Sequence, residues 1–405
     1  MTDHPLDEPR RLPERPNLRH LKDEAKALFK AGRARSITHA QFQIARLYGF
    51  PSWLKLKAHI DSLEEIGQLK QAIDREDFDR VKRLMLGNPA LHRAPLGYAQ
   101  NGPLTWVAEC RVPWGPPSTE RLAIARWMIE NGSDIHQGGD GPLMRAALRG
   151  ERIPMMELLV AHGADVNAEW NGDFPILLAP CESVNAASIQ WLLEHGADPN
   201  CSKASPRNTA LDYLIGTYGR SAEMAICIDR LVKAGGKTRY DLPGVLDTIR
   251  NRVDGLAGQL DGDPALVHRR FPELDCGSTG GRRLLLIGAT LLHLAAEFGC
   301  VEAARLLLDR GADVNARALV DGSGVGGQTP IFHCATQFRD YGLAVTRLLL
   351  ERGADLSVRV KLPGHYERAE EFVECTPLGY ARRYPGDELP NERTVRLLVE
   401  SGGVE

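Results

Sequence analysis

Four carboxylates in the first half of the chain, Glu109, Asp140, Asp173 and Glu182, are interleaved with Trp114, Trp170, His136 and Tyr213. Brought into one cleft, such residues could run acid–base chemistry on a small molecule, with the indoles as stacking walls. The competing reading is a set of solvated surface charges. Other chemistries find less support. The 8 cysteines stand singly between Cys110 and Cys375 with no C-x-x-C pair, and no spaced set of His and Cys suggests a metal site. Cys181 is the thiol expected to be exposed, but no partner base is identifiable for it. The glycine-rich stretch Ala318 to Gly327 is not followed by Gly-Lys-Ser/Thr and no strand precedes it, so a phosphate loop is a poor reading. No cofactor is expected.

Composition bounds the function classes. A formal net charge of −3 and a hydrophobic content of 43% in 405 residues imply neither a nucleic-acid nor a membrane partner. The first residues, MTDHPLDEPRRLPERP, have no apolar core of a signal peptide, and no apolar run reaches membrane-spanning length. Isolated thiols suit a reducing compartment. The expectation is a soluble, cytoplasmic protein.

What must position these residues is legible at Thr290 to Ala316, TLLHLAAEFGCVEAARLLLDRGADVNA. Thr290 caps a short helix, and Ala295 and Ala296 let a neighbouring helix approach closely. Gly299 turns the chain into a second helix, Val301 to Arg310, with Ala304, Leu307 and Leu308 on one face. Gly311 supplies a left-handed closing residue, and Asp313 and Asn315 supply turn chemistry. The stretch resembles an ankyrin repeat, close to that family's T-P-L-H-x-A and G-A-D-V-N-A patterns, and the resemblance implies a structural role for His293.

Weaker copies surround it. Closings stand at Gly132-Ser133-Asp134, Gly163-Ala164-Asp165, Gly196-Ala197-Asp198, Gly235-Gly236, Gly353-Ala354-Asp355 and Gly402-Gly403. First helices are predicted near Pro103, Pro142, Pro175, Thr209, Thr329 and Thr376, and the second helix before Gly132 is expected to bury Leu122, Ala125 and Ile129. Between Gly236 and Gly288 the pattern fails. There Val245 to Ile249 still reads as a helix, and Asp263-Pro264-Ala265-Leu266 parallels Asn88-Pro89-Ala90-Leu91. This predicts a flexible tail (1–16), an N-terminal helical cap (17–63), a first sub-array (64–240), a divergent repeat with a connector at Gly277 to Gly281 (241–281) and a second sub-array (282–405). Two separately stable blocks are the alternative. The fold class is all-α: a solenoid of helix-turn-helix units with short hairpin fingers.

The cap should turn Leu21, Ala25, Leu28, Ala40, Ile44, Leu47, Trp53, Leu56 and Ile60 inward. Its words LRHLKDEAKALFKAGRA and AQFQIARLYGFPSWLKLKAHID resemble a segment that precedes ankyrin arrays in some bacterial proteins. The segment is basic, so nucleic-acid binding is a second alternative, although Lys55 and Ala58 stand where a DNA-reading helix needs apolar anchors.

The ankyrin resemblance implies that ligands meet a concave face built from turn tips and first helices. Mapped onto this sequence, that face includes Arg149, Trp170, Asn171, Asp173, Glu182, Glu297, Phe298, Thr336, Gln337 and Arg383, with Glu109, Asp140, Asp173 and Glu182 on successive units. Four insertions add candidates: Arg111 to Thr119 with Trp114, a mobile finger at Ala318 to Gly327, a longer finger at Val360 to Glu374 with Tyr366, and Tyr384 to Asn391. The reading favoured is a protein-interaction scaffold using groove and insertions. An enzyme acting on a small molecule is the alternative.

Overall fold

The structure is a computed structural model that describes residues 10–13, 16–97, 100–111, 114–137, 141–170, 172–203, 208–217, 219–277, 284–364, 371–383 and 390–405, with Lys203 by its backbone alone. Two compact units divide the chain, 1–137 and 138–405. The second contains both the divergent stretch and the array beyond it. No described helix is long and apolar enough to cross a membrane.

The first unit carries α1 (Leu18–Lys30), α2 (Ile37–Leu47), α3 (Trp53–Asp74), α4 (Phe78–Gly87), α5 (Pro103–Ala108) and α6 (Thr119–Glu130). Asn17, Ser36 and Ser52 cap the first three through side-chain oxygens that accept N–H groups of the opening turn. Leu21, Ala25, Ala40, Ile44, Leu56 and Ile60 form their shared core, with Leu28, Leu47 and Trp53 packed at its edge. The inward faces expected of the cap are therefore present. Its α3 runs on to Asp74, so residue 63 falls inside a helix. Most of the stretch 1–16 lies outside the described residues, but Arg10 N–H donates to Leu47 O at 2.8 Å.

In α6 the buried face is Arg121, Ile124, Ala125 and Met128, rotated from the expected Leu122, Ala125 and Ile129. The reason is Arg121. Its Nε lies 3.0 Å from Glu76 Oε1, which satisfies the charge and lets an arginine take a core position.

The second unit is a succession of helix pairs: α7 (Gly141–Ala147) with α8 (Ile153–Ala161), α9 (Leu178–Glu182) with α10 (Ala186–Glu194), and α11 (Ala210–Gly216) with α12 (Met224–Lys233). After them come α13 (Val245–Ile249) with α14 (Val253–Gly262), α15 (Leu291–Glu297) with α16 (Val301–Asp309), α17 (Pro330–Ala335) with α18 (Leu343–Glu351), and α19 (Pro377–Arg383) with α20 (Glu392–Glu400). Antiparallel two-stranded hairpins, β1 (Glu169–Trp170) with β2 (Phe174–Pro175), β3 (Ser202–Lys203) with β4 (Asn208–Thr209), and β5 (Val360–Pro363) with β6 (Phe372–Cys375), project between pairs. First helices pack on first helices, as α15 on α13 and α17, and second helices on second helices, as α16 on α14 and α18.

The closing motifs explain the stacking. Gly311, at φ +90°, ends α16, with Ala312 N–H returning to Leu307 O at 2.9 Å. Asp313 Oδ1 then accepts Asn315 N–H at 2.9 Å. Asn315 reaches the next repeat, donating to Gly353 O at 3.1 Å and accepting from Asp355 N–H at 2.8 Å. Asn167 does the same to Gly196 and Asp198, and Asn200 to Gly235 and Lys237. Each asparagine zips one turn to the next.

The zip is replaced where the sequence pattern fails. Asp229 of α12 pairs instead with Arg250 and Arg252 between α13 and α14, while Asn251 Oδ1 accepts the Ala303 N–H that opens α16. The Asn-Pro-Ala-Leu and Asp-Pro-Ala-Leu words are one local structure used twice. Asn88 and Asp263 have nearly the same backbone angles and cap the 3-10 turns Pro89–Arg93 and Pro264–His268 in the same way. Of the expected connector, Gly277 to Gly281, residues 278–281 lie outside the described residues, and Gly277 is buried.

His293 ties the scaffold together. Its Nδ1 accepts Thr290 N–H at 3.1 Å, and its Nε2 lies 3.1 Å from Gln328 O, which fixes a neutral ring protonated at Nε2. Burial pushes its pKa down to about 3, and the neighbouring His333 acts in the same direction. A folded pKa below the unfolded value of about 6.5 gives a contribution complete above that pH and lost as pH falls toward the folded pKa. Stability should drop by about 2 kcal/mol between neutral pH and pH 5 from this residue. Urea midpoints for the wild type and His293→Gln at both pH values check this, and the variant should show the smaller loss.

Candidate binding site

The open concave face expected at α15 and α17 is filled by the protein itself. Glu297, Phe298 and Gln337 are buried, which corrects their assignment to a ligand-facing surface. The cause is Arg220, from the chain that follows α11. Its nearly buried guanidinium stands 3.1 Å from Glu297 Oε1 and 4.4 Å over the Phe298 ring. Glu297 Oε2 lies 2.8 Å from His333 Nδ1. Gln337 Nε2 donates to the carbonyls of Glu297 and His333, and Thr336 Oγ1 to that of Phe332.

The residues read as an acid–base set are distributed over both units. The first holds Glu109, buried with its carboxylate 2.8 Å from Arg111, and His136, which is exposed. Trp114, also there, is 60% exposed. In the second, Tyr213 Oη lies 3.4 Å from Glu182 Oε2. Asp173 donates its N–H to Trp170 O in the tip of the β1–β2 hairpin. Trp170 is half-buried, edge-on to Phe174, which in turn meets Tyr213 edge-on. The ring contacts thus run within the hairpin and from Phe174 to α11.

Arg149 and Arg383 are exposed and stand 3.8 and 4.0 Å from Glu151 and Glu371. Asp140, Asn171 and Tyr366 lie outside the described residues, as do 384–389 of the last insertion. Cys181, expected to be exposed, is fully buried, and burial pushes its thiol well above the usual range. The half-buried thiol is Cys201, pushed up to about 12 by burial with Asp198 and Glu169 acting in the same direction. Among the described residues no group of three or more His, Cys, Asp or Glu could hold a metal ion.

An open surface does exist where two insertions meet. The Ala318 to Gly327 finger is a built turn. Asp321 Oδ1 accepts the N–H groups of Ser323 and Val325 at 2.8 and 2.9 Å, and Asp321 N–H returns to Val325 O at 2.8 Å. Its far side joins the next finger: Gly326 N–H donates to Lys361 O at 2.9 Å, and Lys361 Nζ reaches Ser323 O at 3.3 Å. Hydrogen bonds thus link the expected mobile finger to the β5–β6 hairpin.

A third segment, Leu284 to Ile287, completes the arrangement. Leu286 N–H donates to Cys276 O at 2.8 Å, and Gly288 N–H to Phe271 O at 2.8 Å. Gln328, buried, ties the finger to this segment and to α15. Its carbonyl accepts Ala318 N–H at 3.0 Å and contacts His293 Nε2, while its Nε2 donates to Leu285 O at 2.8 Å.

Between these parts lies a groove of about 440 Å³ lined by Leu284, Ile287, Leu319, Val325, Leu362 and Phe372, among others. Its lining includes four large apolar side chains left in water: Ile287 at 40%, Leu319 at 42%, Val320 at 54% and Phe372 at 47% exposure. Sequence reasoning singled out both fingers but not Leu284 to Ile287 or Gln328. The run Leu284-Leu285-Leu286-Ile287, apolar and beside a glycine-rich stretch, was the available signal.

No curated protein matches the chain. A family model described as ankyrin repeats (3 copies) matches residues 118–203 and 262–360. The matched stretches are those in which the asparagine zip and the closing glycines recur, so over these residues sequence and geometry agree that the chain carries ankyrin repeats.

Proposed function

We propose that this protein binds another protein by taking an apolar segment of it into the groove between the Ala318 to Gly327 finger and the β5–β6 hairpin. Ankyrin repeats are in general protein-interaction modules, and the repeats here supply a rigid frame. The observation that carries the reading is the gathering of Ile287, Leu319, Val320 and Phe372, all more than a third exposed, around one cavity. A monomer gains nothing from leaving such a patch in water, whereas a partner that covers it gains the burial. The walls are preformed, so binding orders few side chains and loses little conformational entropy.

Val320→Asp places a charge where the partner would exclude water. Affinity for the partner should fall by roughly a hundredfold or more, while the thermal unfolding profile stays unchanged because Val320 is exposed. The test is binding of the crosslinked and identified partner to both forms, and equal affinity would remove the groove from the account.

A further inference from the structure

The groove has one feature that apolar contact alone does not use. Gln328 lines it, is 4% exposed, and its Oε1 has no hydrogen-bond partner. The orientation of that amide is fixed chemically. Its other end lies 2.8 Å from the Leu285 carbonyl, which can be matched only by the NH₂ group, so the oxygen is the end left over. A buried acceptor without a donor carries a desolvation penalty that a ligand's N–H or O–H would relieve.

Around it the lining is aliphatic and aromatic. Among the described residues of the lining Asp321 is the only charged one, and its Oδ1 already holds the finger's own N–H groups. At the rim Lys361 Nζ stands 5.1 Å from the centre of the Phe372 ring. The volume, about 440 Å³, is in the range that encloses a compact ligand.

Resting on the reading that a partner protein fills this groove, we propose that the anchor it inserts is a tryptophan, its indole ring against Leu284, Leu319, Leu362 and Phe372 and its Nε1–H donated to Gln328 Oε1. Indole answers both requirements: it is the largest apolar side chain, and it offers one donor and no acceptor. Phenylalanine would leave the oxygen unmatched. Lysine and arginine would bring a charge into an apolar cleft with one acceptor to meet it.

The experiment uses the full chain with methyl-labelled Ile, Leu and Val, titrated with N-acetyltryptophanamide, its 1-methyl analogue that lacks the indole N–H, and N-acetylphenylalaninamide. The expected result is methyl shifts confined to Leu284, Ile287, Leu319, Val320, Val325 and Leu362, with the tryptophan compound binding about tenfold more tightly than either analogue. Absence of shifts at these methyls, or equal affinity for the tryptophan compound and its 1-methyl analogue, would overturn the tryptophan anchor. The proposed function is judged separately. A partner that crosslinks at Leu319 and is lost on Val320→Asp, but inserts an aliphatic side chain, would leave that reading standing and refute this one.

Discussion

Replacing Glu297 with Gln should lower the unfolding free energy by roughly 3–5 kcal/mol, the range for breaking a buried ion pair by removing one partner. The carboxylate has no exposure, and the Arg220 side chain opposite it has 3%. Losing the charge leaves a guanidinium in the interior with its counter-ion gone. The Thr217 and Gly219 carbonyls and the Phe298 ring face still meet it but carry no full negative charge, and His333 Nδ1 loses the carboxylate oxygen 2.8 Å away. A second change separates this account from simple loss of packing. Arg220→Met in the Glu297→Gln background removes the stranded charge and should recover a large part of the stability. Denaturant titrations of the two variants and the wild type measure both effects. A loss below about 1 kcal/mol for Glu297→Gln would place the pair in the weak class of solvated surface bridges.

The second large effect belongs to Gly326. A Cβ there would stand 2.2 Å from Leu319 O, and its φ of +114° is one that L residues rarely adopt. Neither problem can be relieved by rotating a side chain, because the obstructing atom is backbone. Gly326→Ala must therefore push apart the two arms of the finger, at Leu319 and Gly326, and disturb the Gly326 N–H bond to Lys361 O that joins the two fingers. The local cost should be about 1–3 kcal/mol. The consequence for function should be larger, because Leu319 and Val320 are walls of the groove. Partner affinity should fall at least about tenfold. Gly322→Ala is the matched control. It lies in the same finger with open space around its Cα, and it should leave binding unchanged.

How far this could be read from the sequence depends on whether the responsible contact is local. First-helix starts at Pro103, Thr209, Thr290, Thr329 and Thr376 were legible because a cap or an N-terminal proline acts within one turn. The closing glycines were legible for the same reason, and so was the pairing of Asn88-Pro89-Ala90-Leu91 with Asp263-Pro264-Ala265-Leu266. The errors have a different origin. Arg121 could be placed in the core only by knowing that Glu76 meets it from an earlier helix. The open groove expected at Glu297, Phe298 and Gln337 is closed by Arg220, a residue from another repeat that no helical periodicity signals. The groove at the fingers is an intermediate case. Insertion lengths pointed to Ala318 to Gly327 and Val360 to Glu374. The bond from Gly326 to Lys361, and the bond from Gln328 to Leu285, are long-range contacts.

The central claim, that the surface joining the two fingers receives a partner protein, is tested most directly by placing a photo-crosslinking residue at Leu319 in the full chain and irradiating cells that express it. A discrete partner should be captured from position 319, captured far less from the exposed control position Gly322, and lost when Val320→Asp is added. Equal capture from both positions, or capture that persists with Val320→Asp, would contradict the claim.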